Sequence, residues 1–216
     1  MLTSQVIAIF LTACLTIFAS INLHNITKSN ASKQGSKYKA EVEHPSGPIF
    51  ALAALGTVIF FLESVLYIIL VFTGLHTIIS RSLLQLQFPF DSWVQSAGII
   101  MTAFGYTLFI WSVLARGKYA TSWEMPENQK LVTWGPYSYV RHPSYLAYFI
   151  LFIGLFFTLL NLIAVIPFIA IPGYIHITTV EEELLTKRFG GAYLKYQSAT
   201  GRFFPRKKQR VRPDLN

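Results

Sequence analysis

Two short segments of this 216-residue chain carry side chains able to do chemistry together. The first is Arg141-His142-Pro143-Ser144-Tyr145, a cation, an imidazole, a hydroxyl and a phenol set around a proline. Pro143 suits the first turn of a helix, where its missing N–H costs nothing. A helix starting there presents free amides and the positive end of its dipole, a place for a carboxylate such as that of an amino-acid-like ligand. The second segment is Glu181-Glu182-Glu183, roughly 35 residues further on. Successive helical side chains point about 100° apart, so at most one or two of the three acids can face a common pocket.

Each segment also has a plainer reading. Trp134, Tyr137, Tyr139 and Tyr145 suit an aromatic belt at a membrane surface, with Arg141 snorkelling to headgroups. The three acids suit a solvated helix N-terminus. Yet three acids on a border otherwise rich in cations are an odd choice for an anchor.

The elements that must position these residues follow from composition. Charged residues make up 13% of the chain and hydrophobic ones 53%, against about 25% and 45–50% in soluble domains. The missing charge implies long uncharged runs. Crossing the hydrocarbon takes roughly 20 apolar residues. Residues 2–22, 48–80 and 93–114 each supply such a run. Residues 144–180 hold no Asp, Glu, Lys or Arg, and as one helix would reach about 55 Å. Two short spans folded as a hairpin near Asn161 fit better, with Pro167, Pro172 and Gly173 loosening the second. The expected fold is therefore all-α, a polytopic membrane protein with five transmembrane helices and a cytoplasmic C-terminal helix stopped by Gly190-Gly191. It divides into transmembrane helices 1–3 and their loops (1–114), a region with the last two spans and the C-terminal helix (115–205), and a basic tail (206–216).

Charge placement tests this arrangement. With the N-terminus outside, 17 of the 18 Lys and Arg residues fall on the inner side and only Arg81 lies outside. The expected topology is N-terminus out, C-terminus in, with the polar site on the cytoplasmic face. The net charge of +8 then faces membrane lipids rather than nucleic acid, since no basic stripe is interleaved with stacking aromatics. The single cysteine, Cys14, excludes disulfides and cysteine-rich metal sites within one chain and reads as a packed small hydrophobe. No metal is expected.

Taken in order, the motifs resemble the isoprenylcysteine carboxyl methyltransferase family of membrane enzymes. The resemblance covers residues 115–205. It rests on Leu131-Val132-Thr133 with Gly135 and Tyr137, then Arg141 to Tyr145, then Glu181-Glu182. It closes with Phe189-Gly190, Tyr193 and Tyr196, and with Thr200-Gly201-Arg202-Phe203-Phe204-Pro205. The resemblance implies S-adenosylmethionine as cofactor, held by Leu131, Val132, Tyr137, His142, Pro143, Ser144, Tyr145 and Glu181. Gln129 stands where the family often has a histidine, and Glu124 is one candidate for a further position. Arg141 and Glu181 are the implied catalytic residues. One departure matters for the methyl acceptor: the family usually has an arginine four residues before the first glutamate, and here that position is Ile177. His176 points elsewhere on the helix, leaving Arg141 or Arg202 to supply the cation.

The implied activity is carboxyl O-methylation of an isoprenylated cysteine or similar lipophilic acid. Two alternatives stand beside it: N-methylation of an amine-bearing lipid, and a non-catalytic lipid-binding protein on the same scaffold. The amine reading needs a proton acceptor, for which Glu63, a carboxyl inside the second span, is the candidate. Its plainer role is a hydrogen bond from its protonated form to Thr102 or Thr107.

Overall fold

The computed structural model describes residues 1–33, 47–80, 83–117 and 130–206. Within them the chain forms seven α-helices: α1 (Ser4–Lys33), α2 (Pro48–Phe72), α3 (Thr77–Ser80), α4 (Asp91–Arg116), α5 (Pro143–Leu159), α6 (Ala170–Phe189) and α7 (Gly191–Ala199). Short 3-10 turns occupy Gly135–Ser138 and Leu162–Ile169. The all-helical architecture expected from the sequence is what the structure shows.

Among the described residues, four stretches are long and apolar enough to cross a membrane: Ser4–Asn25, Pro48–Phe72, Asp91–Arg116 and Leu162–Phe189. α5 is apolar but has 17 residues, about 25 Å of helix, slightly short of the roughly 30 Å hydrocarbon layer. The hairpin between it and the next span turns where the sequence places it. Leu160 adopts a left-handed conformation (φ 49°), and the Asn161 side chain accepts a hydrogen bond from Ile163 N at 3.0 Å. Gln85 closes the turn by donating to the carbonyls of Leu159 and Leu160, each at 3.0 Å.

The start of the C-terminal helix differs from expectation. α6 does not end at Val180 but runs unbroken through Glu181, Glu182 and Glu183 to Phe189. The acids therefore sit on a rigid extension of the last span. The break falls at Gly190 (φ 50°), and the separate terminal helix is α7.

The most extensive packing joins α4 to α5, and small residues permit it. A Cβ on Gly98 would lie 2.4 Å from Thr158 N, and one on Gly154 would lie 2.6 Å from Thr102 Oγ1. Helix backbones inside a bilayer gain by approaching this closely, because lipid supplies no hydrophobic drive between them. Phe60, Leu151, Phe152 and Leu155 are wholly buried between α2 and α5, with Ile7 and Leu11 of α1 against them. At one end of the bundle the Met1 ammonium lies 2.9 Å from Asp91, Leu2 N donates to Gln95 Oε1, and Gln95 Nε2 donates to Thr158 O. The opposite end gathers the close of α4, the start of α5 and the polar part of α6.

Candidate functional site

The segment 130–142 docks on the end of α4. Gly135, at φ 61°, allows the chain to turn there; a Cβ would meet Ala115 Cβ at 3.0 Å. The Trp134 indole donates to Ala115 O at 3.0 Å, and Pro136 opens the 3-10 turn that buries Tyr137. Tyr196 of α7 donates its hydroxyl to Tyr137 O at 2.7 Å. Of the four aromatics read as a belt, Trp134 and Tyr139 are exposed (45% and 60%), Tyr137 is buried and Tyr145 faces inward onto Glu181. Only two of the four are therefore exposed as an anchor requires.

The chain beyond α7 returns over the same segment. Gly201 O accepts from Arg141 N at 2.9 Å and Arg202 O accepts from His142 N at 3.1 Å, pairing the two strands of chain in parallel. Phe203 packs beside His142 (6.2 Å between centroids) and Phe149 (5.1 Å). The tail is thus a strap across the start of α5.

Two carboxylates organise what lies beneath. Glu181 Oε1 accepts from the Tyr145 hydroxyl at 2.6 Å, and its Oε2 lies 3.4 Å from His142 Nδ1. Glu182, 5% exposed, is the hub. Its Oε1 meets Arg141 Nε at 2.8 Å and His142 Nε2 at 3.1 Å; its Oε2 meets Arg202 Nη2 at 3.0 Å and Gln197 Nε2 at 3.1 Å. Glu183 is exposed. One helical turn thus sends two of the three acids into the site, as the 100° spacing requires.

With a carboxylate at each ring nitrogen, His142 is held as an imidazolium. Burial opposes its protonation, but the hydrogen bonds to Glu181 and Glu182 outweigh that and raise its pKa above the ordinary histidine value. His142 also stacks on Tyr145 (5.8 Å, 23°), and Tyr145, Tyr174 and Tyr148 continue as a contiguous aromatic wall into the apolar interior.

His142, Tyr145 and Glu181 thus converge on one side, with Tyr137 linked through its hydroxyl 3.5 Å from Ser144 Oγ. Pro143 is the first residue of α5, and the amides of Ser144 and Tyr145 precede its first internal bond, from Leu146 N to His142 O. Leu131 and Val132 are half-buried at the edge of the docked loop. Gln129 and Glu124 lie outside the described residues. Arg141 does not face this group: its guanidinium is bound to Glu182, to Gln197 O at 3.2 Å and to Thr200 O. Ile177 is buried in the core (3% exposed), and His176 is exposed on another face of α6. Glu182 and Gln197 were missed by sequence reasoning; Glu182 was one of three adjacent acids, and only the fold separates them. A cleft of about 460 Å³ lined by Thr179, Glu183, Lys187, Gln197 and Arg202 opens on the Oε2 side of Glu182, away from His142. Glu63 has no hydrogen-bond partner for either carboxyl oxygen among the described residues. Thr102 and Thr107, its expected partners, bond instead to Thr158 and to Ala103 O.

Residues 93–192 match the model of the phospholipid methyltransferase family. The match takes in α4, α5 and α6, and so extends the sequence resemblance back over the third long helix. The chain is 32% identical over 111 residues to the protein-S-isoprenylcysteine O-methyltransferase of Rattus norvegicus, covering 49% of this chain and 39% of that one. It is 30% identical over 109 residues to protein-S-isoprenylcysteine O-methyltransferase B of Arabidopsis thaliana, covering 48% and 55%. The resemblance read from the motifs is therefore supported. The chain spans about two fifths of the length of the mammalian relatives it matches. A solved eukaryotic intramembrane isoprenylcysteine carboxyl methyltransferase aligns over 91% of this chain and 67% of its own, at 22% identity and a TM-score of 0.48.

Proposed function

We propose that this protein is an integral membrane methyltransferase that uses S-adenosylmethionine to methylate the carboxylate of an isoprenylated cysteine or similar lipophilic acid. The observation that carries the reading is the cluster of His142, Tyr145 and Glu181 at the first turn of α5, within residues 93–192 that match the phospholipid methyltransferase family.

The residues present fit that cofactor. Its amino-acid end carries a carboxylate, suited to the amides and dipole of the α5 N-terminus at Pro143, Ser144 and Tyr145. It also carries an ammonium, suited to Glu181. Leu131, Val132 and Tyr137 offer half-buried and buried apolar surface from the docked loop, and Gln129, where the family often has a histidine, is a further contact implied by the resemblance. When bound, S-adenosylmethionine supplies a methyl group on a sulfonium, ready for displacement.

A carboxylate acceptor is already ionised at neutral pH, so the protein needs no general base for it. Its task is alignment and exclusion of water, worth up to about 7–11 kcal/mol for well-oriented reactants. Glu181 orients through its bonds to Tyr145 and His142. Arg141 acts as a positioning residue: by binding Glu182 and the carbonyls before the strap, it holds the tail over His142. We place five spans in the membrane, with α5 as the short one. The N-terminus lies outside and the site at the cytoplasmic surface, on the strength of the basic residues.

The test is incubation of the purified full-length protein in lipid nanodiscs with methyl-labelled S-adenosylmethionine and an S-prenylated N-acetylcysteine. A base-labile methyl ester is expected from wild type, and its loss in His142→Ala and Glu181→Ala. No ester from wild type rejects this acceptor. A second reading, N-methylation of an amine-bearing lipid, is favoured by the description of the matching family and by the unpartnered carboxyl of Glu63. It predicts labelled lipid amines that disappear in Glu63→Gln.

A further inference from the structure

A site for a lipophilic carboxylate needs a cation, and Ile177, Arg141 and Arg202 do not provide one. Ile177 is apolar and packed in the core. Arg141 and Arg202 are both tied to Glu182, Arg141 also to Gln197 O and Thr200 O, and Arg202 also to Thr179. The structure brings up a fourth residue from a different helix. Arg116 is the last residue of α4, at the end of the bundle where the site lies. It is only partly exposed, and its Nε is buried with no hydrogen-bond partner among the described residues. Its charge acts on Tyr137 of the docked loop, Tyr145 and Tyr148 of α5, and Glu181 of α6. These groups come from three of the elements around the His142 cluster, the docked loop, α5 and α6.

A buried guanidinium nitrogen lacking an acceptor is an incomplete interaction, and a carboxylate completes it in the planar two-point geometry that arginine favours. Tyr148, within the field of Arg116, stacks on Tyr174 (5.3 Å, 6°) and is followed inward by Phe152. An apolar chain attached to a carboxylate at Arg116 therefore has the half-buried Tyr148 beside it, at the edge of the buried Tyr174 and Phe152. We propose that Arg116 binds the carboxylate of the methyl acceptor, taking from α4 the role that Ile177 leaves vacant on α6. Arg116 makes the site select lipophilic acids over neutral or cationic lipophiles. The proposal rests on the methyl-transfer reading, but its test reads binding rather than turnover.

The experiment measures equilibrium binding to the full chain in nanodiscs, using an S-prenylated N-acetylcysteine and its carboxamide as the two probes. Wild type is expected to bind the acid about ten-fold more tightly than the amide, an anion preference of the size a charge-assisted pair gives. Arg116→Gln is expected to abolish the preference by weakening the acid alone, and Arg116→Lys to keep part of it. Binding of S-adenosylhomocysteine, measured in the same preparations, is expected to stay within about twofold. It also checks that the variants are folded. Equal binding of acid and amide by wild type, or a preference that survives in Arg116→Gln, overturns the proposal. So does a loss of S-adenosylhomocysteine binding in Arg116→Lys, which places the guanidinium on the cofactor instead. An acid preference in wild type without ester formation rejects the methyl-transfer reading and leaves the role of Arg116 in anion binding standing.

Discussion

Glu182 is the residue on which most of the polar site depends. Its carboxylate holds Arg141, His142, Gln197 and Arg202 at once, from three different stretches of chain. Glu182→Gln keeps the shape and removes the charge, leaving Arg141 buried beside an imidazole without a counter-charge. Breaking a buried pair in this way costs about 3–5 kcal/mol, with the Arg202 share reduced by its exposure to solvent. Thermal unfolding in detergent is expected to show that loss, and Glu183→Gln, on the exposed neighbour, is expected to show none. His142 gives a pH signature of its own. Its pKa is raised in the folded protein, so its proton is bound more tightly folded than unfolded. The stabilisation is complete below the ordinary histidine value near 6.5 and is lost as pH rises through the raised folded value. The melting temperature is therefore expected to fall over that alkaline-going range, and His142→Gln to flatten the profile. A profile that is the same in both proteins rejects the imidazolium assignment. The contrast between Glu181 and Glu182 also marks the limit of reading residues in a row: the acidic triplet is legible, but which acid meets which partner depends on the turn of α6.

At the scale of elements, the site's geometry depends on how closely α4 and α5 approach. Gly98 and Gly154 permit that approach, with no space for a Cβ on either side of the contact. Gly154→Ala would set a methyl 2.8 Å from Thr102 N, backbone that cannot swing aside. Overpacking of this kind costs about 1–3 kcal/mol. It also moves the start of α5 relative to Arg116, so a lower melting temperature is expected together with weaker S-adenosylhomocysteine binding. The tail strap is the second positioning element. Phe203→Ala removes the ring beside His142 and Phe149 while sparing the backbone bonds at Gly201 and Arg202. A loss of the order of 3–5 kcal/mol is typical for a fully buried aromatic, and this edge position is expected to cost less. Its cleaner effect is faster proteolysis of the tail beyond α7. The extent of α6 shows why element boundaries are hard to read. The change from apolar to acidic at Glu181 looks like an end, yet both halves favour helix, and nothing stops it before Gly190.

For the whole molecule, the basic residues set a topology that can be measured. In a Cys14→Ala background, single cysteines at Thr3 and at Ser198 are expected to react with a membrane-impermeant maleimide from opposite sides of sealed vesicles, Ser198 only from the cytoplasmic side. Labelling of both from one side overturns the five-span arrangement. That arrangement puts α5, the shortest span, directly beneath the polar cluster. A short helix leaves its N-terminus, and with it His142, near the membrane surface, where a water-soluble cofactor and a lipid-borne acceptor can meet.

By itself, the sequence determined the all-helical membrane class, the hairpin at Asn161, and the two segments that carry chemistry. These follow from local properties: apolar run length, turn residues, and side-chain types in order. Only the tertiary structure decided how the polar groups are shared out. It assigned Glu182 to Arg141 and Arg202, Glu181 to Tyr145 and His142, and left Arg116 Nε at the end of α4 buried without a hydrogen-bond partner among the described residues. Such pairings are settled by contacts between residues far apart in the chain, from Arg202 with Glu182 at a separation of 20 to Arg141 with Glu182 at 41. The hydrophobic pattern that places the helices in the membrane does not record them.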